Sequence, residues 1–153
     1  MSEHQVKLFE GALPSVIALM LVEPKVFDGS FEHASLKFTR HDLVFLEVLV
    51  DGTAVSSHPL KFENGNSLNF YVEFLKRSNR FYNFLSASTI SQQDYNDSNF
   101  LHLINLKHEG FKHGQCVINL KFASELQQKL FLIVLPVYEK ALRFDAYLNT
   151  SLV

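Results

Sequence analysis

The chain of 153 residues contains one cysteine, Cys116, and no tryptophan. A single thiol excludes an internal disulfide and a zinc site built from cysteines. No apolar run approaches the ~18–20 residues that a membrane-spanning helix needs, so we expect no membrane span. The 14 basic and 16 acidic residues give a net charge of −2. Because this balance lacks the basic excess of a nucleic-acid-binding surface, we expect no nucleic-acid partner.

The sequence also lacks the short motifs of common catalytic and cofactor sites. The GxSxG, P-loop, GxGxxG and HExxH patterns are all missing. His102, His108 and His113 are close in sequence, but their spacing fits no known type of metal site. Cys116 lies in an apolar stretch that is typical of a buried strand. We therefore assign no catalytic residue, no metal and no cofactor, and expect a protein that is not an enzyme.

The first residues do not resemble a secretory signal. Ser2, Glu3 and His4 open the chain, and Lys7 is the only lysine or arginine before the apolar stretch that begins at Val16. No small-residue cleavage site is evident there. A single cysteine also suits a reducing compartment. Together these features predict a cytoplasmic protein.

The sequence is rich in phenylalanine, with 15 residues. Because Phe carries no polar group, we expect most of these rings in a core and a minority in an exposed patch for a partner. The length matches one domain over residues 1–153. Apolar residues make up 47% of the chain and charged residues 20%, which is typical of a globular fold.

Alternating apolar residues predict antiparallel strands along much of the chain. Asp51-Gly52 predicts a two-residue hairpin, and Gly110 with Gly114 predicts a hairpin with a longer loop. A short helix is predicted before Pro14, and a loop over the polar residues 86–99. The predicted strands are the segment after Pro14 and residues 31–38, 43–50, 53–62, 99–106 and 115–122, with Pro59 indicating an edge or a bulge.

Residues 67–85 fit two structures. After the turn at residues 64–66, a strand that reaches Leu75 would place Phe62 opposite Leu68 and put alternate apolar residues on one face. The aromatic residues of the same segment, together with Arg77, also recur at helical spacing. The strand is the preferred interpretation, with the helix as the alternative.

The C-terminal third predicts a long helix. Ser124 and Gln127 have the spacing of a capping box. Apolar residues then recur every three or four positions from Leu126 to Leu148, and Pro136 predicts a kink. The predicted fold class is therefore α+β, mainly antiparallel β: a sheet or barrel of about six strands with a long kinked C-terminal helix.

The segment from Cys116 to Phe122, followed by residues 123–131, resembles the last strand and C-terminal helix of a PilZ domain. That family binds cyclic di-GMP through an RxxxR arm and a [D/N]xSxxG strand motif. Residues 76–80 resemble the first motif with lysine leading, and residues 105–110 resemble the second with lysine in place of serine. The resemblance implies a six-stranded barrel and a ligand site at Lys76, Arg77, Arg80, Asn105, Lys107 and Gly110.

Two functions from different classes follow. The preferred one is a non-enzymatic binding module that acts through protein–protein contacts, as an adaptor, a chaperone or an inhibitory or immunity-type partner. It predicts an exposed apolar patch or a long unpaired edge strand, and it is compatible with homo-oligomers. The alternative is a small-ligand receptor, such as a degenerate PilZ-like cyclic-dinucleotide-binding protein. It predicts that Arg77, Arg80 and Lys107 converge near a groove.

Overall fold

The computed structural model describes residues 1–27, 38–55, 59–62, 68–77, 90–139, 142–144 and 150–152. Strands dominate these residues, and their helices are short. None of the helices in this part of the chain is long and apolar enough to cross a membrane. The elements are β1 (Ser2–Ala12), β2 (Val16–Val22), α1 (Pro24–Phe27), β3 (Leu43–Val50), β4 (Thr53–Ala54), β5 (Leu60–Lys61), α2 (Leu68–Arg77), α3 (Gln92–Asp97), β6 (Leu101–Asn105), β7 (His113–Phe122), β8 (Phe131–Val137), β9 (Leu142–Phe144) and β10 (Thr150–Leu152).

The strands form two main antiparallel sheets. In the first sheet, β7 lies between β1 and β3, and the short strands β4 and β5 both pair with β3. In the second sheet, β2 lies between β6 and β8. Strands β9 and β10 pair with each other.

The two sheets enclose one apolar core. Alternate residues of β7, such as Cys116 and Ile118, belong to the same buried cluster as Ile17 and Leu19 of β2. A cavity of about 10 Å³ lies between the sheets and is lined by residues of both, including the fully buried His102. A cavity of this size holds about one water molecule.

Several predicted strands are confirmed. Residues 43–50 form β3, and Asp51-Gly52 turns the chain into β4, with Val50 opposite Thr53. Both turn residues have positive φ angles, 49° and 79°, as a tight two-residue hairpin turn requires. Strands β2, β6 and β7 lie in the segments predicted for them. Predictions for residues 31–37 and for the turn at 64–66 lie outside the described residues.

The predicted long C-terminal helix is wrong, and with it the α+β fold class. Residues 123–130 form an irregular connection, and residues 131–137 form β8. Every residue from Leu130 to Tyr138 is apolar or aromatic, so the run satisfies a helical period and a strand alike. The segment forms a strand because it pairs with β2, and every residue of both strands has a partner residue in this pairing.

The prediction of a strand up to Leu75 is also wrong, since residues 68–77 form α2. Its buried residues, Phe70 and Phe74, are four positions apart and so lie on one face of the helix. Phe70 stacks on Phe62 with the ring centroids 3.9 Å apart. The helical spacing of the aromatic residues was therefore the informative pattern, rather than the alternation.

Three further predictions are corrected. Residues 2–12 form the strand β1 rather than a short helix. Within the predicted polar loop, residues 92–97 form α3, because Ser91 caps it by accepting a hydrogen bond from the Asp94 amide at 3.1 Å. Strands β6 and β7 do not pair as a hairpin, since they lie in different sheets. The turn between them therefore carries the chain across the core.

Candidate functional site

Each sheet ends in strands whose outer edge pairs with no other described strand. These are β1 and the β4–β5 side of the first sheet, and β6 and β8 of the second. An open edge presents backbone N–H and C=O groups to which another polypeptide can pair. Natural proteins block most such edges, so an edge that is left open is informative about function.

The edges of the first sheet are blocked by composition and by length. Strand β1 exposes charged residues along its length, with Glu3, Lys7 and Glu10 all at its surface. Lys7 and Glu10 form an ion pair with an N–O distance of 2.6 Å. Strands β4 and β5 each contain two residues. Charge and short length are both common protections against edge pairing.

The outer edge of β6 is covered by side chains. The Arg77 guanidinium donates a hydrogen bond to the carbonyl oxygen of Leu103. The Tyr95 hydroxyl donates to the carbonyl oxygen of Leu101, with an O–O distance of 2.9 Å. Both donors are largely buried, and burial raises the pKa of Tyr95 and lowers the pKa of Arg77. Two carbonyl groups of this edge are therefore already occupied.

The pairing registers also show which backbone N–H and C=O groups of β8 point away from β2. In an antiparallel sheet, the backbone N–H and C=O groups of successive residues point to opposite edges of the strand. Because the Leu101 and Leu103 carbonyls point away from β2, the odd-numbered residues of β2 direct their backbone groups toward β6 and the even-numbered ones direct theirs toward β8. The residues of β8 opposite these even-numbered residues are odd-numbered, so their backbone groups point toward β2. The Val137 carbonyl accordingly accepts a hydrogen bond from the Ser15 amide at 2.8 Å. Leu132, Val134 and Pro136 therefore direct their backbone groups outward.

Pro136 fits this arrangement, because an outward position at an edge strand needs no N–H group. The same residue inside a helix would cost about 3 kcal/mol. Among the described residues, no strand pairs with the N–H and C=O groups of Leu132 and Val134, or with the C=O group of Pro136, on this outer edge.

The side chains of β8 are apolar on both faces. Leu132 and Val134 pack against the core. Leu135 and Val137 lie on the opposite face and are 52% and 53% exposed. They stand directly across from Ala18 and Val16 of β2, which are half-buried. We call the exposed face formed by Val16, Ala18, Ile133, Leu135 and Val137 the apolar strip.

The apolar strip and the edge of β8 together form the candidate site. A contiguous apolar surface beside an open strand edge is typical of protein-interaction sites. Among the described edge strands of more than two residues, β8 carries no charged side chain, and the hydrogen bonds of the described residues include no side-chain donor to its carbonyls. Pro136 removes one N–H from this edge, so its full pairing groups lie at Leu132 and Val134. This site was not predicted from the sequence, because the same residues were expected to form a C-terminal helix. The useful signal was the continuous apolar run that contains Pro136.

The predicted ligand residues at the end of α2 have structural partners. Lys76 and Arg77 lie in its last turn. Arg77 is close to Glu73, with 3.3 Å between Nε and Oε2, as well as to the Leu103 carbonyl. Arg80 lies outside the described residues.

The other three predicted residues share the turn that follows β6. The Asn105 side chain accepts a hydrogen bond from the His108 amide at 2.9 Å. Lys107 forms an ion pair with Glu139. Gly110 adopts a φ of 84° and donates its N–H to the Lys107 carbonyl at 3.1 Å. The structure therefore brings Asn105, Lys107 and Gly110 together, in contacts that stabilise the turn.

A polar groove of about 190 Å³ lies elsewhere, between the turn at His41 and Asp42 and the connection before β8. His41 contacts the Thr39 hydroxyl through Nε2 at 2.6 Å, and burial lowers the pKa of its imidazole. Asp42 accepts a hydrogen bond from the Ser124 hydroxyl at 3.3 Å. No group of three metal-ligating side chains occurs among the residues that the structure describes.

Comparison with known proteins adds no assignment. No protein-family model, no curated protein and no solved structure matches this chain. The geometry of β8 and the apolar strip is therefore the basis on which a function can be inferred.

Proposed function

We propose that this protein is a non-enzymatic binding module that acts through protein–protein contacts, with β8 and the apolar strip as its recognition surface. The single observation that carries the proposal is an edge strand that is apolar on both faces and whose outer side pairs with no other strand in the part of the chain that the structure describes. The mode of recognition is strand addition: backbone hydrogen bonds supply affinity, and side chains on alternate faces supply specificity.

The energetics indicate that a partner must cover the strip as well as the edge. Burying the exposed half of Leu135 and of Val137 is worth about 1 kcal/mol each. Hydrogen bonds at the edge add about 0.5–1.5 kcal/mol each. Since a dissociation constant of 1 μM corresponds to about 8 kcal/mol, neither contribution is sufficient alone. The two combined give roughly 4–10 kcal/mol before the cost of association, so a specific complex also needs contacts along the rest of the apolar strip.

The adaptor, chaperone and inhibitory forms of this function all use the same surface and differ in the partner. A cytoplasmic location is part of the proposal, and the single buried thiol of Cys116 supports it. The small-ligand alternative has less support. Arg77, one of the residues predicted to bind the ligand, is engaged by Glu73 and the Leu103 carbonyl.

The test is a pair of lysine substitutions on two different edges. Leu135→Lys introduces a charge into the apolar strip, whereas Val6→Lys introduces the same charge on β1, where Val6 is 40% exposed. Both proteins are expressed in the native host and cross-linked, and the attached chains are identified by mass spectrometry. We expect the wild type and Val6→Lys to retain a partner at fixed stoichiometry and Leu135→Lys to lose it. Equal recovery with all three proteins would contradict the proposal.

A further inference from the structure

We propose that the turn at His41 and Asp42, together with Glu23, is an acid-sensitive clasp that holds residues 123–130 and releases them when His41 becomes charged. These residues form the connection that leads directly into β8. The inference therefore rests on the proposed function and names a regulation of the same recognition surface.

The first end of the connection is held by Asp42. The Asp42 carbonyl accepts a hydrogen bond from the Ala123 amide at 2.9 Å, and the Asp42 carboxylate accepts one from the Ser124 hydroxyl at 3.3 Å. The Ser2 hydroxyl adds a bond to the Ser124 carbonyl at 3.2 Å. Residues 123–129 are all exposed, so they bury little apolar surface. A segment with so few buried contacts opens locally at low cost.

The other end of the connection is held by Glu23, which follows β2. The Gln128 side chain forms a hydrogen bond with the Glu23 carboxylate, and this bond is the main reason that the pKa of Glu23 is lowered. Two carboxylates therefore hold the connection, one near each end.

His41 interacts with both of these carboxylates. Its ring lines the polar groove beside Asp42 and Gln128, and Nε2 is 2.6 Å from the Thr39 hydroxyl. Because a hydroxyl can donate or accept, this contact holds the ring in either charge state. Burial lowers the pKa of His41, whereas the charges of Glu23 and Asp42 oppose that shift. The half-buried ring is therefore neutral at pH 7.5 and gains its charge in mild acid.

Two other charged groups lie close to the clasp. Lys25 forms an ion pair with Glu23, with 3.3 Å between Nζ and Oε2, and Glu125 lines the groove. Histidine is the side chain that normally titrates between pH 5 and 8, so His41 is the member of this group that changes its charge there.

Protonation of His41 changes which partner each carboxylate prefers. With a neutral ring, Glu23 bonds to Gln128 and Asp42 bonds to Ser124. An imidazolium attracts the same two carboxylates and competes with the amide and the hydroxyl for them, because an ion pair adds to the hydrogen bond. The connection thereby loses its hold at both ends.

The backbone of the turn favours release once these contacts weaken. The Leu43 amide donates to the Arg40 carbonyl at 3.2 Å, and the two residues between them, His41 and Asp42, have φ angles of 50° and 58°. This is a type I′ turn, which is strained when neither central residue is glycine. Such strain persists only while surrounding contacts hold it, so the turn has two states that the charge of His41 can bias.

Amide hydrogen exchange measured by NMR tests the clasp, with each rate expressed relative to that of an unstructured chain at the same pH. The Ala123 amide reports on the connection, and the Ile118 amide in the central strand β7 reports on the whole fold. His41→Gln removes the titrating group but keeps a hydrogen-bonding side chain. His108→Gln is the matched control, because His108 is exposed on a different turn.

From pH 7.5 to pH 5, we expect the wild type and His108→Gln to lose protection at Ala123 by at least about fivefold, the lower end of a regulatory coupling. Ile118 should keep its protection, and His41→Gln should keep protection at both amides. Glu23→Gln should move the midpoint of the change to lower pH, because the Glu23 charge favours the charged form of His41.

Three results would overturn the clasp: constant protection at Ala123 in the wild type, an equal loss in His41→Gln, or a parallel loss at Ile118, which would indicate general unfolding. Partner recovery at pH 5 separates the clasp from the proposed function. Because release leaves the start of β8 less ordered, recovery should fall in the wild type and stay level in His41→Gln. Recovery that depends on Leu135 but not on pH would overturn the regulation and leave the binding function intact. A pH-dependent Ala123 amide without any Leu135-dependent partner would overturn the proposed function instead.

Discussion

Replacement of Arg77 by methionine tests how this structure uses a buried cation. The Arg77 side chain is 9% exposed and contacts both the Leu103 carbonyl and Glu73. A lost hydrogen bond from a charged donor costs about 1.5–3 kcal/mol. The Glu73 carboxylate also loses a partner, although Lys76, 3.5 Å away, partly compensates. We expect Arg77→Met to lower the free energy of unfolding by about 2–4 kcal/mol in total.

Urea unfolding followed by far-ultraviolet circular dichroism measures this loss, since the chain has no tryptophan to report on it. For a chain of this size, a loss of 3 kcal/mol corresponds to a melting temperature lower by about 6–12 °C. Glu73→Gln and the double variant complete a thermodynamic cycle, and we expect the two substitutions to be less than additive. A loss smaller than about 0.5 kcal/mol for Arg77→Met would refute the structural role and leave Arg77 available for a ligand.

Two further predictions concern the backbone at Gly114 and the buried thiol and hydroxyl groups of Cys116 and Tyr95. Gly114→Ala should cost about 1–3 kcal/mol of stability, because φ is 140° there and the Asp51 carboxylate, which accepts a hydrogen bond from the Gln115 amide, would have to move away from the new Cβ. Gly110→Ala, with φ 84° and open space around it, is the control and should cost less. Burial raises the pKa of Cys116 to about 11 and also that of Tyr95. The unfolded chain therefore loses these protons first. The stability that Cys116 contributes is complete below about pH 9 and falls by about 1.4 kcal/mol per pH unit up to about pH 11, and the stability that Tyr95 contributes falls only above pH 10. Urea titrations from pH 8 to 11 would contradict this if stability stayed level.

The two strands that the sequence predicts most directly are β3 and β7. In β7 the alternation from Cys116 to Phe122 separates buried from half-exposed residues, as a sheet with one face on the core requires. The Asp51-Gly52 turn then sets the pairing of β3 with β4. These features depend on neighbouring residues only, so local pattern is sufficient to predict them.

The candidate site could not be predicted in the same way. The three blocked edges and the edge of β8, which no described strand covers, depend on which strands become adjacent. Adjacency joins residues that are distant in the chain. Arg77 covers the β6 edge at Leu103, 26 positions away. The sequence shows Arg77 only as part of a basic cluster next to aromatic residues, which is why a ligand site was the natural hypothesis there.

By itself the sequence determined the mainly antiparallel β character, the hairpin at Asp51-Gly52 and the burial of Cys116, because each follows from alternation or from turn chemistry over a few residues. The tertiary structure decided the rest. A run that is apolar at every position, such as residues 130–138, satisfies a helix and a strand equally. Only pairing with β2, over 100 residues earlier, selects the strand and thereby exposes Leu135 at an edge that no other described strand covers.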